Sequence, residues 1–170
     1  KELVFQMDTN NSGSVSFSEF KMFWNDLVRA SDVTLLHTLA EYENIIAEES
    51  TSGRLVVLEV GFTYCKPCRA FEPTYHKFAT QFKDARFLRI NGNDNQEMVR
   101  LGRDILKVKS SPSFYLFRNG EQTFKFTGAK SDKFEDAILQ NLRPGEAGYI
   151  AGYEPKDFSV PPKQTVIAGN

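Results

Sequence analysis

One stretch of sequence decides the fold of this chain, VLEVGFTYCKPCR at residues 57–69. Its first half is a short run of branched apolar residues, which predicts a buried central strand. From Arg69 to Phe82 the apolar side chains recur at helical spacing, so we expect a helix to follow the strand. The cysteines Cys65 and Cys68 therefore lie at a strand-to-helix turn.

Three interpretations compete for Cys65 and Cys68, the only cysteines of the chain. A zinc site needs about four ligands, and only His37 and His76 could join the pair, without the usual spacing. The pair could instead be an inert disulfide or two unrelated buried thiols. We favour a redox dithiol, because N–H groups at a helix N-terminus favour a thiolate at Cys65, and Lys66 adds positive charge. Cys68, one turn further in, should be less exposed and suited to resolve a mixed disulfide.

Composition excludes several classes of function. The chain has 170 residues, 41% hydrophobic and 25% charged, with a net charge of −1. So balanced a charge offers no general polyanion-binding surface, and we expect no nucleic-acid partner. No apolar run is long enough to cross a bilayer, so we expect no membrane partner. The sequence opens with Lys1 rather than Met, and we expect any targeting signal to lie outside it.

The alternation of patterns along the chain predicts a mixed α/β fold. The predicted elements around the central strand and its helix are, in order, a strand at 33–36, a helix at 38–49, a strand at 85–90, a helix from 93, hairpin strands at 113–118 and 122–127, and a helix around 134–138. Thr38 and Glu41 form a capping-box pattern, and Asn119-Gly120 is a strong hairpin signal. Residues 143–170 contain many Pro and Gly and predict an extended tail, either disordered or pinned to the surface by Tyr149, Tyr153 and Phe158.

Two segments about forty residues apart resemble the thioredoxin family. Residues 57–69, followed by Pro73 inside the helix, are similar to that family's active-site strand, dithiol and kinked helix. The run VKSSPSFYLFRNG at 108–120 is similar to the segment whose proline, here Pro112, is cis and faces the dithiol. A lone Cys-x-x-Cys motif would be weak, but its joint occurrence with this proline and a glycine loop at Gly128 is specific.

The resemblance covers roughly residues 32–142 and implies a thioredoxin-like α/β sandwich with a mixed sheet. It implies a protein-disulfide reductase in which Cys65 attacks a target disulfide, Cys68 resolves the mixed disulfide and Pro112 faces the pair. The implied partners are disulfide-containing target proteins and a thioredoxin reductase system. The implied substrate groove is formed by Tyr64, Lys66, Pro67, Ser111, Gly128 and Ala129.

The chain departs from the thioredoxin pattern beside the dithiol. Tyr64 and Lys66 stand where the family usually has Trp and Gly, so the redox potential does not carry over. Glu59 stands where the family has a buried Asp. It is either an ion-paired or strand-edge carboxylate or a proton shuttle with a raised pKa. We favour the shuttle, because a carboxylate inside so apolar a run is costly unless it is used.

The first thirty residues carry a second motif, DTNNSGSVSFSE at residues 8–19, which fits a twelve-residue EF-hand loop. Oxygen side chains stand at loop positions 1, 3, 5 and 9, Gly stands at position 6 and Glu closes the loop at position 12. Ca²⁺ takes six to eight oxygen ligands, which alternate residues of such a loop can supply. The candidate ligands are Asp8, Asn10, Ser12, Ser14 through its carbonyl, Ser16 through water, and Glu19.

Two weaker interpretations of this motif stay open, a turn that matches by chance and a degenerate hand that no longer binds metal. EF-hands normally pair, and the sequence contains no second loop, so we expect residues 1–31 to be the last hand of a longer region. A hand directly ahead of a thioredoxin-like domain resembles the calcium-dependent thioredoxins of the plastid. That resemblance implies Ca²⁺ as the cofactor, a location in the chloroplast stroma and peroxiredoxin-type targets.

Two rival functions also fit the sequence. One is a Ca²⁺-responsive docking module whose thioredoxin fold is redox-silent, which the intact dithiol and its matching proline disfavour. The other is a disulfide isomerase or oxidase, which Lys66 would favour by stabilising the thiolate at Cys65.

Overall fold

A computed structural model of the chain describes residues 12–20 and 32–158. The strands are β1 Val33–Leu36, β2 Val56–Gly61, β3 Arg86–Asn91, β4 Ser113–Arg118 and β5 Glu121–Thr127. The α-helices after residue 32 are α1 Leu39–Ser52, α2 Lys66–Gln81, α3 Gln96–Arg100 and α4 Ser131–Asn141. Within these two ranges no helix is both long and apolar enough to cross a membrane.

The five strands form one mixed sheet in the order β1-β3-β2-β4-β5. The first three run parallel, whereas β4 is antiparallel to β2 and β5 is antiparallel to β4. All residues of β2 are buried, because this strand has a hydrogen-bonded neighbour on each side and helices over both faces. The predicted mixed sheet and buried central strand are confirmed.

Helices cover both faces of the sheet and enclose two apolar clusters. On one face, α2 and α4 pack on the sheet through aromatic rings, with the ring centroids of Phe71 and Phe114 5.2 Å apart and those of Phe114 and Phe134 4.6 Å apart. On the other face, α1 and α3 pack through side chains such as Tyr42 and Met98. The apolar face predicted for α2 is buried as expected, at Phe71, Tyr75, Phe78, Ala79 and Phe82.

Local sequence signals set most of the element ends. Thr38 and Glu41 form the predicted capping box at the start of α1, which runs to Ser52, three residues beyond the predicted end. The hairpin turn between β4 and β5 has Asn119 at φ 54° and Gly120 at φ 79°, the left-handed pair that a two-residue turn requires. The sequence patterns missed a π-helix at Leu101–Ile105, directly after α3.

A buried arginine attaches residues 143–158 to the domain. Arg118, at the end of β4, is only 7% exposed and donates to both carboxylate oxygens of Glu146, at 2.6 and 2.9 Å. It also donates to the backbone carbonyls of Gly53 and Asn141. These bonds join the loop after α1, the end of α4 and the segment that follows it.

A second anchor lies on α4 at Asp136, a residue that is 3% exposed. It accepts hydrogen bonds from the hydroxyl of Tyr153, the backbone N–H of Lys156 and the side chain of Gln140. Of the two alternatives predicted for the tail, the structure therefore supports attachment for residues 143–158. Residues 159–170 lie outside the described residues.

Replacing Arg118 with Ala should destabilise the fold by about 3 kcal/mol, because the Glu146 carboxylate and two backbone carbonyls lose their donor. Urea denaturation of the purified chain gives the free energy of unfolding. Arg100→Ala, which removes an exposed arginine from α3, serves as the control and should change it little. Similar losses in both variants would contradict this account of Arg118.

Candidate active site and calcium loop

The cysteine pair lies where β2 passes into α2. Cys65 is the N-cap of α2, and its sulfur accepts a hydrogen bond from the backbone N–H of Cys68 at 3.2 Å. The two cysteines form a disulfide with their Cα atoms 5.3 Å apart. Pro67 occupies the first turn and Pro73 lies inside the helix, as predicted. N–H groups and the positive end of the helix dipole at this position stabilise a thiolate at Cys65.

The two sulfurs differ in their access to solvent. Cys65 is 5% exposed and Cys68 is fully buried, which agrees with the expected order of exposure. Tyr64, 71% exposed, stacks on Phe62 with a centroid distance of 5.5 Å, and Lys66 is also exposed. A disulfide in another protein could therefore approach Cys65 from solvent, beside an aromatic ring and a positive charge.

A cis-proline loop lies at the same end of the sheet. The Ser111–Pro112 peptide bond is cis, which confirms the prediction from the thioredoxin resemblance. Ser113 pairs with Val60 across β4 and β2, so Pro112 lies at the level where β2 ends, just ahead of the dithiol. The Gly128 N–H donates to the Pro112 carbonyl at 2.9 Å, which joins this loop to the one before α4.

The predicted groove residues occur on three segments that meet at this end of the sheet. Tyr64, Lys66 and Pro67 adjoin the dithiol, Ser111 adjoins the cis bond, and Gly128 and Ala129 lie before α4. Pro67 and Ala129 line one open cavity of about 360 Å³ together with Phe71 and Thr74. The cavity extends the surface beside the dithiol along α2.

A carboxylate lies inside the sheet, in the middle of β2. Glu59 is 0% exposed, and neither of its oxygens has a hydrogen-bond partner among the described residues. Arg89 stands opposite it on β3, with its Nε 3.6 Å from Glu59 Oε2. Burial raises the pKa of Glu59 from about 4.5 to about 7, against the opposing charge of Arg89. This carboxyl can therefore gain or lose a proton near neutral pH.

Gly61 leaves room between this carboxyl and the buried cysteine. A Cβ at this position would lie 3.4 Å from Cys68 Sγ and 3.9 Å from Glu59 Oε1. Alternate residues of a strand face the same side, so Glu59 and Gly61 both face α2. Any larger side chain at Gly61 would fill the space between the acid and the sulfur.

Sequence reasoning missed three residues that position this site, Arg89, Glu72 and Asn93. Arg89 donates to Glu72 at 2.6 Å while facing Glu59. Asn93 fixes the loop before the dithiol, since its Oδ1 accepts the Thr63 N–H at 3.0 Å and its Nδ2 donates to Thr63 Oγ1 at 2.8 Å. The one available signal was a charged side chain inside the apolar strand β3, at Arg89.

Four of the six candidate calcium ligands fall within the described residues, namely Ser12, Ser14, Ser16 and Glu19. Asp8 and Asn10 lie outside them. Gly13 has φ 81°, the left-handed conformation that a glycine permits in a sharp turn. This turn agrees with the expected role of the glycine in a calcium loop.

The end of the loop forms a helix cap. Glu19 Oε2 accepts from the N–H of Ser16 at 2.9 Å, the Glu19 N–H donates back to Ser16 Oγ at 3.2 Å, and residues 17–20 are helical. This reciprocal cap begins a helix at the place where an EF-hand loop ends. The ranges 12–20 and 32–158 contain no group of three or more His, Cys, Asp or Glu that could hold a metal. Calcium binding by the oxygen-rich loop stays a prediction.

The raised pKa of Glu59 makes the stability of the fold depend on pH. The folded carboxyl holds its proton up to about pH 7, whereas the unfolded carboxyl releases it near 4.5. The folded state therefore binds more protons within this window, and its stability falls as pH rises. Glu59→Gln lacks this proton uptake. Between pH 4.5 and 8, the native chain should therefore lose about 3 kcal/mol of unfolding free energy relative to Glu59→Gln.

Urea denaturation of the oxidised chain across this pH range measures the difference. Glu121→Gln, an exposed glutamate on β5, is the matched control and should show no such growth. A difference for Glu59→Gln that does not change with pH would contradict the raised pKa.

Comparisons with known proteins agree with this geometry. The thioredoxin family model matches residues 33–140. A thioredoxin of Ophiophagus hannah is 31% identical over 111 residues, which cover 65% of this chain and 99% of that protein. The structure of thioredoxin f from spinach chloroplast superposes with a TM-score of 0.58 and 29% identity, over 65% of this chain and 93% of that chain.

A third comparison extends further along the chain. The structure of a redox protein from Chlamydomonas reinhardtii superposes with a TM-score of 0.65 and 26% identity, over 88% of this chain. This chain spans 55% of the length of that protein. With the five-stranded mixed sheet, the disulfide at the start of α2 and the cis-proline beside it, these matches show that the chain belongs to the thioredoxin family, as a dithiol–disulfide oxidoreductase.

Proposed function

We propose that this chain reduces disulfides in target proteins and that Ca²⁺ bound to the N-terminal loop regulates the reaction. The observation that carries the reductase proposal is the asymmetric pair, with Cys65 at the helix N-terminus and 5% exposed, and Cys68 fully buried one turn further into the helix. A docking module would have no need of a disulfide in this position beside a cis-proline loop.

The reaction starts from the reduced dithiol. The Cys65 thiolate attacks one sulfur of the target disulfide, forms a mixed disulfide and releases the other target sulfur as a thiolate. Cys68 then gives up its proton, and its thiolate attacks Cys65 Sγ. The Cys65–Cys68 disulfide forms, and the second target sulfur leaves as a thiolate that takes up a proton. Two electrons pass from the dithiol to the target, and a thioredoxin reductase system restores the dithiol.

Glu59 is suited to accept the proton of Cys68. Its pKa of about 7 lies near the working pH, where a general base is most effective. Gly61 leaves space between the carboxyl and Cys68 Sγ, so that a single water could bridge them. Pro112 and the Ser111 backbone hold the target chain beside Cys65, with Tyr64 and Lys66 at the rim of the groove.

The described part of the loop supports regulation by Ca²⁺. Residues 12–19, eight of the twelve loop residues, include the left-handed glycine and the helix start that an EF-hand needs. The match to the Chlamydomonas redox protein covers 88% of this chain, so the likeness to that protein extends beyond the thioredoxin domain at 33–140. Ca²⁺ would be held by Asp8, Asn10, Ser12, Ser14, Ser16 and Glu19, and as a hard cation it would draw these oxygens into one site.

We also propose that the protein works in the chloroplast stroma, with peroxiredoxin-type proteins among its targets. The likeness to the calcium-dependent thioredoxins of the plastid is the basis of both statements. Two of the similar proteins are chloroplast thioredoxins by name, thioredoxin f of spinach and the thioredoxin-like protein CDSP32 of Arabidopsis thaliana.

The two cysteines should behave differently when each is replaced. Cys68→Ser should trap a mixed disulfide with a target protein, because the resolving thiol is missing. Cys65→Ser should trap nothing and should lose reductase activity toward insulin disulfides. Non-reducing electrophoresis and mass spectrometry of the adduct measure the trapping, with the Cys65→Ser/Cys68→Ser double variant as the blank. Equal trapping by both single variants would refute the assignment of roles.

Insulin reduction with Ca²⁺ and with a chelator tests the regulation. Turnover should rise with Ca²⁺ in the native chain, and Glu19→Gln should remove this response while keeping the activity measured in chelator. Glu48→Gln, an exposed glutamate on α1, is the control and should respond like the native chain. Isothermal titration with Ca²⁺ shows whether the loop binds the ion. Identical turnover with Ca²⁺ and with chelator would leave the loop a structural or buffering element.

A further inference from the structure

Arg89 divides its charge between two carboxylates. Its Nη1 donates to Glu72 Oε1 on α2 at 2.6 Å, a short charge-assisted hydrogen bond. Its Nε lies 3.6 Å from Glu59 Oε2, too far for a hydrogen bond. Arg89 Nε has no hydrogen-bond partner among the described residues, and neither has either oxygen of Glu59. Arg89 therefore forms its hydrogen bond with Glu72 and forms none with Glu59.

The three charged groups lie in series from solvent to the interior. The side chain of Glu72 is 44% exposed, that of Arg89 is 14% exposed and that of Glu59 is fully buried. Glu72 and Arg89 line an open cavity of about 430 Å³ together with His76 and Asn91. Water can therefore reach the ion pair of Glu72 and Arg89, whereas Glu59 is fully buried on the inner side of the guanidinium.

We propose that Glu72 is a positioning residue that holds the Arg89 guanidinium out of hydrogen-bond contact with Glu59 and thereby sets the pH at which Glu59 takes the proton of Cys68. This inference rests on the proposed function, because it concerns the control of the same proton transfer. Glu72 acts through Arg89 and does not touch the reacting sulfurs.

The groups that face Glu59 support the direction of the effect. Arg89 on β3 lowers the pKa of Glu59, and the negative charge of Glu72 on α2 raises it, in addition to the larger effect of burial. Tyr75, also on α2, is neutral because burial raises its pKa well above the ordinary value. The nearby Cys68 is neutral in the disulfide. Removing the charge of Glu72 removes one raising influence and frees Arg89 to approach Glu59.

Titration of Glu59 in the oxidised chain tests the proposal without any need for activity. The carboxyl ¹³C shift of Glu59, assigned with Glu59→Gln, gives the titration midpoint by NMR. In Glu72→Gln the midpoint should fall by about one pH unit, because the freed guanidinium can approach the carboxylate. Glu48→Gln on α1 is the matched control and should leave the midpoint in place. An unchanged midpoint in Glu72→Gln would overturn the proposal.

A double-mutant cycle separates positioning from direct repulsion between the two carboxylates. Glu72→Gln should shift the midpoint much less in an Arg89→Gln background than in the native background, because the residue through which Glu72 acts is gone. Equal shifts in both backgrounds would mean that Glu72 acts by its charge alone, and would overturn the positioning role. If Arg89→Gln does not fold, the midpoint measured in the single Glu72→Gln variant still tests the proposal. We expect that variant to fold, because the Glu72 side chain is half-exposed.

Kinetics connect the titration to the reaction. In Glu72→Gln, the pH at which mixed-disulfide resolution reaches half its maximal rate should fall by the same amount as the midpoint. A shifted midpoint with an unmoved pH profile would overturn the link to proton transfer from Cys68. A native chain with no reductase activity would refute the proposed function, and the NMR titration would still report on Glu72 and Arg89.

Discussion

The central position of β2 is the constraint on which the site depends. Because β2 pairs with β3 on one side and β4 on the other, two sets of backbone hydrogen bonds fix where its last residues lie. The end of β2 leads directly to Cys65, the N-cap of α2. The Cys65 sulfur therefore lies at the positive end of the helix dipole. The pairing of Val60 with Ser113 brings the cis-proline loop to the same level. Backbone register thus places the dithiol and the proline.

The same strand carries a destabilising group. Glu59 is a carboxyl in an apolar interior without hydrogen-bond partners among the described residues, so its ionised form opposes folding at neutral pH. The aromatic packing around α2 and α4 stabilises the fold and offsets the cost of burying Glu59. A pKa near 7 is useful for proton transfer and unfavourable for folding, and both effects have one cause, the burial of Glu59.

The ends of β4 join the site to the C-terminal segment. Pro112 precedes the strand at the dithiol end, and Arg118 closes it at the other end with bonds to Glu146 and two backbone carbonyls. The chain after α4 is therefore part of the framework that holds the cis-proline strand. Asp136 strengthens this attachment by accepting from Tyr153 and Lys156.

The sequence by itself determined the features that depend on neighbouring residues. The capping box at Thr38, the Asn119-Gly120 turn and the strand-to-helix turn at the cysteines follow from backbone preferences over a few positions. The cis form of Pro112 came from family resemblance, because few X–Pro bonds are cis on average. The calcium loop stays a prediction, since Asp8 and Asn10 lie outside the described residues.

Only the tertiary structure decided which distant charges meet. Arg89 is 17 positions from Glu72 and 30 from Glu59 in sequence, and its contacts depend on the register of β2 with β3 and on how α2 packs above them. The attachment of residues 143–158 by Arg118 likewise joins segments far apart in the chain. Such pairs leave no periodic pattern in the sequence, because their energy depends on burial and distance that only the folded chain creates.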